Sequence, residues 1–148
     1  MQVFKKKFIN IDHPVPDSWT IATIKDETKF GIIRFNIGVD PNDFKGKFKF
    51  CAIFTIAFNE NYDDTLDISY DFEDTFFDKI QSSGDGVIFC IVTNNENRSF
   101  FAYTKSQAIG KKIKKKMCRQ FAKINIDIST HIDENWDNFI MLKPNSES

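Results

Sequence analysis

Phe48-Lys49-Phe50-Cys51-Ala52-Ile53-Phe54-Thr55-Ile56-Ala57-Phe58 decides the fold class. Successive side chains along a strand point to opposite faces. Phe48, Phe50, Ala52, Phe54, Ile56 and Phe58 therefore share one face, and Cys51, Ile53, Thr55 and Ala57 share the other. Apolar residues on both faces predict a central strand, or one whose second face is also covered. That second face is a candidate surface for homodimerisation.

Downstream of this strand the period changes. Ile68, Phe72, Phe76 and Ile80 recur every four residues with Phe77 beside them, the pattern of an amphipathic helix. Ser82-Ser83-Gly84-Asp85-Gly86 ends it, because glycine takes a left-handed cap without a side-chain clash. Val87 to Thr93 and Arg98 to Thr104 read as two strands, joined by Asn94-Asn95-Glu96-Asn97, in which asparagine tolerates positive φ. Ser106 is placed to cap a second helix with the stripe Ile109, Ile113, Met117 and Phe121, and Asn125 to Thr130 is a last strand. Upstream, Trp19 to Ile24 and Phe30 to Val39 form a hairpin around the turn Asp26 to Lys29, and Asp40-Pro41-Asn42-Asp43 breaks the pairing. The order is a hairpin followed by β-α-β-β-α-β. It predicts an α+β fold with a ferredoxin-like core, a mostly antiparallel sheet extended by the hairpin, and two helices on one face.

The 148 residues suit a single domain, which commonly holds roughly 100–150 residues. Residues 1–18 read as an N-terminal extension stiffened by Pro14 and Pro16, residues 19–144 as the domain, and 145–148 as a frayed tail. With 41% hydrophobic residues, 17 of the 148 being Phe, the chain carries enough apolar surface for a core. No apolar run approaches the roughly 20 residues of a membrane span. The lysines at 5–7 are not followed by the apolar stretch of a signal peptide. Cys51, Cys90 and Cys118 are odd in number, widely spaced and set among apolar residues, as expected for reduced cysteines in the cytoplasm.

Charge is segregated. The first helical region carries Asp63, Asp64, Asp67, Asp71, Glu73, Asp74 and Asp78 with no basic residue before Lys79. The second carries Lys111, Lys112, Lys114, Lys115, Lys116, Arg119 and Lys123 with no acidic one. Alone, the basic helix reads as a polyanion-binding surface through Lys111, Lys112, Lys115 and Arg119, and it makes nucleic acid an alternative partner. The preferred expectation is that the two helices, neighbours in the predicted fold, lie side by side and neutralise each other, since complementary sign favours their pairing.

Catalytic signals are sparse. His131-Ile132-Asp133 puts an imidazole and a carboxylate on one strand face, two thirds of a metal site, and no third ligand stands at a telling spacing. No Gly-x-Ser-x-Gly elbow or phosphate-cradling glycine loop occurs. The strand Arg98-Ser99-Phe100-Phe101-Ala102-Tyr103 departs from the RNA-recognition motif at Ser99 and Phe101, where small residues are required. No catalytic residue, cofactor or metal is expected, and an enzyme acting through His131 and Asp133 remains an alternative.

Three landmarks occur together: Trp19-Thr20-Ile21-Ala22, the hairpin from Val92-Thr93 to Arg98-Ser99-Phe100-Phe101-Ala102-Tyr103, and Asp133-Glu134-Asn135-Trp136-Asp137-Asn138-Phe139 before Lys143-Pro144. This arrangement resembles the bacterial family called domain of unknown function 695 (DUF695), over about Trp19 to Pro144. The resemblance implies no established activity. It implies a regulatory, protein-binding role by association, through members joined to a domain resembling protein inhibitors of ribonuclease E. Trp136, Tyr103 and Arg98 are then the candidates for partner contact, as Trp, Tyr and Arg dominate interface hot spots. For Trp136 the competing reading, that it pins the C-terminal turn to the core, is preferred. The expectation is a non-catalytic module with a protein partner.

Overall fold

The computed structural model describes residues 15–25, 30–58 and 62–144. The turn at 26–29, His13, most of the N-terminal extension and the tail at 145–148 lie outside them. Among the described residues there are six strands: β1 (Trp19–Lys25), β2 (Phe30–Asn36), β3 (Phe50–Ala57), β4 (Gly86–Asn94), β5 (Asn97–Thr104) and β6 (Asn125–Ile132). They form one open sheet in the order β1-β2-β4-β5-β3-β6, and every neighbouring pair is antiparallel. The hairpin extends the sheet as expected, through β2 pairing with β4. β3 lies between β5 and β6, which explains its apolar residues on both faces.

Among the described residues four helices complete this mixed α+β architecture: α1 (Pro41–Phe44), α2 (Tyr62–Phe77), α3 (Gln107–Gln120) and α4 (Asp137–Leu142). α2 runs on into a π-helical turn at Asp78–Ser82 and stops at Gly84, whose φ of 79° is the left-handed cap that its sequence promised. Ser106 caps α3 by accepting a hydrogen bond from Ile109 N at 3.4 Å. Gly110 lets α3 settle closely on the sheet, because a Cβ there would stand 2.9 Å from Ile128 Cδ1. The β4–β5 hairpin is closed by Asn94, whose Oδ1 accepts from Glu96 N and Asn97 N, both at 2.8 Å.

The sheet separates two cores. On one face Ala52, Phe54 and Ile56 of β3 pack with Phe72, Phe76 and Ile80 of the α2 segment and with Ile113 and Met117 of α3. Both amphipathic stripes therefore serve the same face. On the other, Cys51, Phe89 and Tyr103 pack under Phe44, Trp136 and Phe139. The expectation of helices on one face only is corrected: α1 and α4 cover the reverse. They have four and six residues, too few for a helical period to register. Phe48 is also corrected, from the helix face to the reverse core, since its N–H closes the α1 turn on Phe44 O at 2.9 Å before β3 begins. The second face of β3 is thus covered at Cys51 by the chain itself. A β-bulge at Phe89 sends Phe89 and Cys90 both to the reverse core, while Ile88 and Ile91 face the helices.

Candidate functional site

The chain leaves β6 through Asp133, whose N–H donates to Lys49 O at 2.7 Å. Its carboxylate then organises the closing turn. Oδ1 accepts from Asp137 N at 2.9 Å, and Oδ2 accepts from Tyr103 Oη at 2.7 Å and from Asn138 N and Nδ2, both at 3.0 Å. These bonds satisfy two of the amides that open α4. Burial pushes the Asp133 carboxyl up, but the hydrogen bonds together outweigh it and hold the group below its ordinary value. Burial, followed by the bond to Asp133, pushes the Tyr103 phenol far up, so it remains a donor to Asp133 while accepting from Phe139 N at 3.2 Å.

Trp136 sits at φ 59°, ψ 42°, a left-handed conformation that costs a bulky residue about 1–3 kcal/mol. Its Nε1–H donates to Phe48 O at 2.8 Å, and its ring stacks on Tyr103 with centroids 4.0 Å apart and planes within 6°. Both rings are wholly buried, which agrees with the preferred reading that Trp136 pins the turn to the core and corrects Tyr103 as a candidate exposed contact. Arg98 is buried as well. It donates to Glu73 Oε1 at 2.5 Å, beside Arg34, which reaches the same oxygen at 2.9 Å. Its guanidinium lies 4.8 Å from the centre of the Tyr70 ring. All three candidates for partner contact are turned inward, although the buried Nε of Arg98 has no hydrogen-bond partner among the described residues.

Beside the turn is a group whose third member could not be seen from spacing. Cys51 of β3 pairs directly with His131 of β6, and Asp133 follows His131 by two residues. The ligand atoms of Cys51, His131 and Asp133 all lie within 4.8 Å of one another. Among the described residues this is the one such cluster of three metal-ligating side chains. The Asn138 amide nitrogen stands between two of them, 2.7 Å from His131 Nε2 and 3.0 Å from Asp133 Oδ2. Cys51 and Asp133 are buried and His131 is exposed, so the group opens at the sheet edge. A shallow depression lined by Ile132, Asp133, Glu134, Asn135 and Asp137 adjoins it. Burial, reinforced by the charge of Asp133, pushes the Cys51 thiol up to about 12. A thiol so held is not a nucleophile, since the thiolate is the attacking species.

The charged helices behave differently from expectation. α2 and α3 do share a face, and Phe72 meets Phe121 with ring centroids 5.6 Å apart. Yet among the described residues no ion pair crosses between them. Glu73 turns inward to Arg34 and Arg98, while Asp63, Asp64, Asp67, Asp71, Asp74 and Asp78 stand exposed. On α3, Lys111, Lys112, Lys115, Lys116 and Arg119 are exposed, and among the described residues none is in an ion pair. The expected direct neutralisation is corrected: the apolar stripes set the spacing of the helices over the sheet, and the charged flanks face water.

Among the described residues no helix is long and apolar enough to cross a membrane. No curated protein and no solved structure matches the chain. Residues 17–142, which include β1 and the closing Asp133–Trp136–Phe139 turn, match the family model described as "Family of unknown function (DUF695)", and the chain belongs to that family.

Proposed function

We propose that the protein is a non-catalytic, cytoplasmic protein-binding module of ferredoxin-like topology, which engages its partner through the charged layer formed by α2 and α3. The topology is supported by the strand order β4-β5-β3-β6, with α2 following β3 and α3 following β5 over the same face. Three free cysteines, two of them buried, suit a reducing compartment.

The observation that carries the binding role is the exposed acidic α2 beside the exposed basic α3 on one face, with no ion pair between them among the described residues. A surface divided this way attracts a partner that presents the opposite division, and it repels one of uniform sign from half of its area. A second copy of the chain meets that requirement. A two-fold axis would set α2 of each copy against α3 of the other, the self-complementary geometry of an isologous dimer. Tyr70, half exposed among the aspartates of α2, supplies an aromatic anchor. Exposed pairs contribute at most about 1 kcal/mol each, so the association is salt-sensitive.

Nucleic acid is the second reading, carried by Lys111, Lys112, Lys115 and Arg119, which are exposed and in no ion pair among the described residues. A phosphate backbone would find cations along one helix only, with the aspartates of α2 beside it. Sedimentation velocity at low and high ionic strength separates the readings. The expected result is concentration-dependent self-association at low salt that is lost at high salt. A monomer at every concentration in low salt overturns the second-copy assignment, and tight oligonucleotide binding by that monomer installs the nucleic-acid reading instead.

A further inference from the structure

We propose that Cys51, His131 and Asp133 bind a divalent metal ion of the zinc class at the edge of the sheet, taking the place of the Asn138 amide. The donor set is one thiolate, one imidazole and one carboxylate, the combination that suits a borderline-soft ion such as Zn²⁺. It is built by strand geometry rather than by a flexible loop. The Cys51–His131 pairing fixes two donors across adjacent strands, and the two-residue step to Asp133 returns the third to the same face. The three ligand atoms already lie within 4.8 Å of one another.

The placement of Asn138 is the more telling observation. One amide nitrogen lies 2.7 Å from His131 Nε2 and 3.0 Å from Asp133 Oδ2. A single polar atom bridging two of the three potential ligands, with the third ligand atom within 4.8 Å of both, marks where an ion would sit. Swinging Asn138 out and drawing each ligand in by about 1 Å or less reaches metal–ligand distances of roughly 2.0–2.3 Å. Asp133 keeps its supporting bonds when this happens, because Tyr103 Oη and the Asp137 and Asn138 amides hold the carboxylate independently of the Asn138 side chain. Such outer partners orient a ligating carboxylate. Binding releases the Cys51 proton to solvent, as coordination deprotonates a thiol. Three protein ligands leave a fourth position, and the exposure of His131 directs it toward solvent.

The test uses the reduced full-length chain titrated with Co²⁺ as a spectroscopic stand-in. The proposal expects one equivalent to bind with a thiolate-to-cobalt charge-transfer band in the near ultraviolet, and Zn²⁺ to bleach it. Cys90→Ser and Cys118→Ser keep the band. Cys51→Ser abolishes it, and His131→Ala, on an exposed strand edge, weakens binding at least tenfold whether or not the Cys51 variant folds. Asn138→Ala, which removes the amide from the centre, tightens binding. Absence of the band at a large excess of Co²⁺, or a band with unchanged affinity in His131→Ala, overturns the assignment in favour of a purely hydrogen-bonded cluster.

Discussion

The closing turn from Asp133 to Phe139 and the basic helix α3 sit at opposite ends of one scale. In the turn, each residue that resembles an interface hot spot is consumed internally: Trp136 by Phe48 O and Tyr103, Tyr103 by Asp133 and Phe139 N. On α3, the lysines that seemed destined for internal neutralisation have no ion-pair partner among the described residues. The difference teaches that a binding surface is marked by bonding capacity left unspent rather than by residue type. A Trp, Tyr or Arg that has found all its partners inside the fold has little left for another molecule.

The comparison breaks first at Trp136. Replacing it by Ala removes the stacked ring and the bond to Phe48 O, and should cost about 3–5 kcal/mol in urea denaturation. A loss below about 1 kcal/mol would mean that the turn is not locked, and that Trp136 is free for a partner. Glu73→Gln comes next. It strips the partner from Arg98, whose side chain is only 4% exposed, and leaves an uncompensated buried cation, for an expected loss of about 3 kcal/mol. Asp71→Asn, on the exposed face of the same helix, should change stability by less than about 0.5 kcal/mol, and equal effects from the two would erase the distinction between spent and unspent carboxylates.

Tyr103→Phe deletes the hydroxyl shared by Asp133 and Phe139 N and should cost about 1–3 kcal/mol. It should also change the acid limb of stability. The Asp133 carboxyl is held below its ordinary value, so its contribution is fully present above a pH of about 3.9 and is lost as pH falls through the depressed folded value. With the Tyr103 bond gone the folded value rises, and the acid dependence from this group shrinks. Smallest of all, Lys111→Glu with Lys115→Glu should shift stability by less than about 1 kcal/mol while changing the salt dependence of association.

Much of the scaffold was legible because it rests on local periodicity. The four-residue stripes of α2 and α3, the Ser106 cap, the Gly84 stop and the Asn94 turn all follow from neighbours in the chain. What escaped depends on partners distant in sequence. Cys51 and His131 are 80 positions apart and meet only through the β3–β6 register, so His131 and Asp133 looked like an incomplete pair. The burial of Tyr103 depends on the closing turn, which stacks Trp136 on its ring and brings Asp133 to its hydroxyl. The separation of the charged flanks was hidden for another reason: the apolar stripes fix where the helices sit, and the sequence offered no measure of the distance between their flanks.

The central claim is that α2 and α3 present unspent, opposite charge to a second copy of the chain. It is tested most directly by mixing two charge reversals, Lys111→Glu/Lys115→Glu/Arg119→Glu and Asp67→Lys/Asp71→Lys/Asp74→Lys, in sedimentation velocity at low ionic strength. Each variant alone should lose self-association, and the equimolar mixture should recover it as a heterodimer. Monomers persisting in the mixture, or variants that each self-associate as the parent does, would contradict the account.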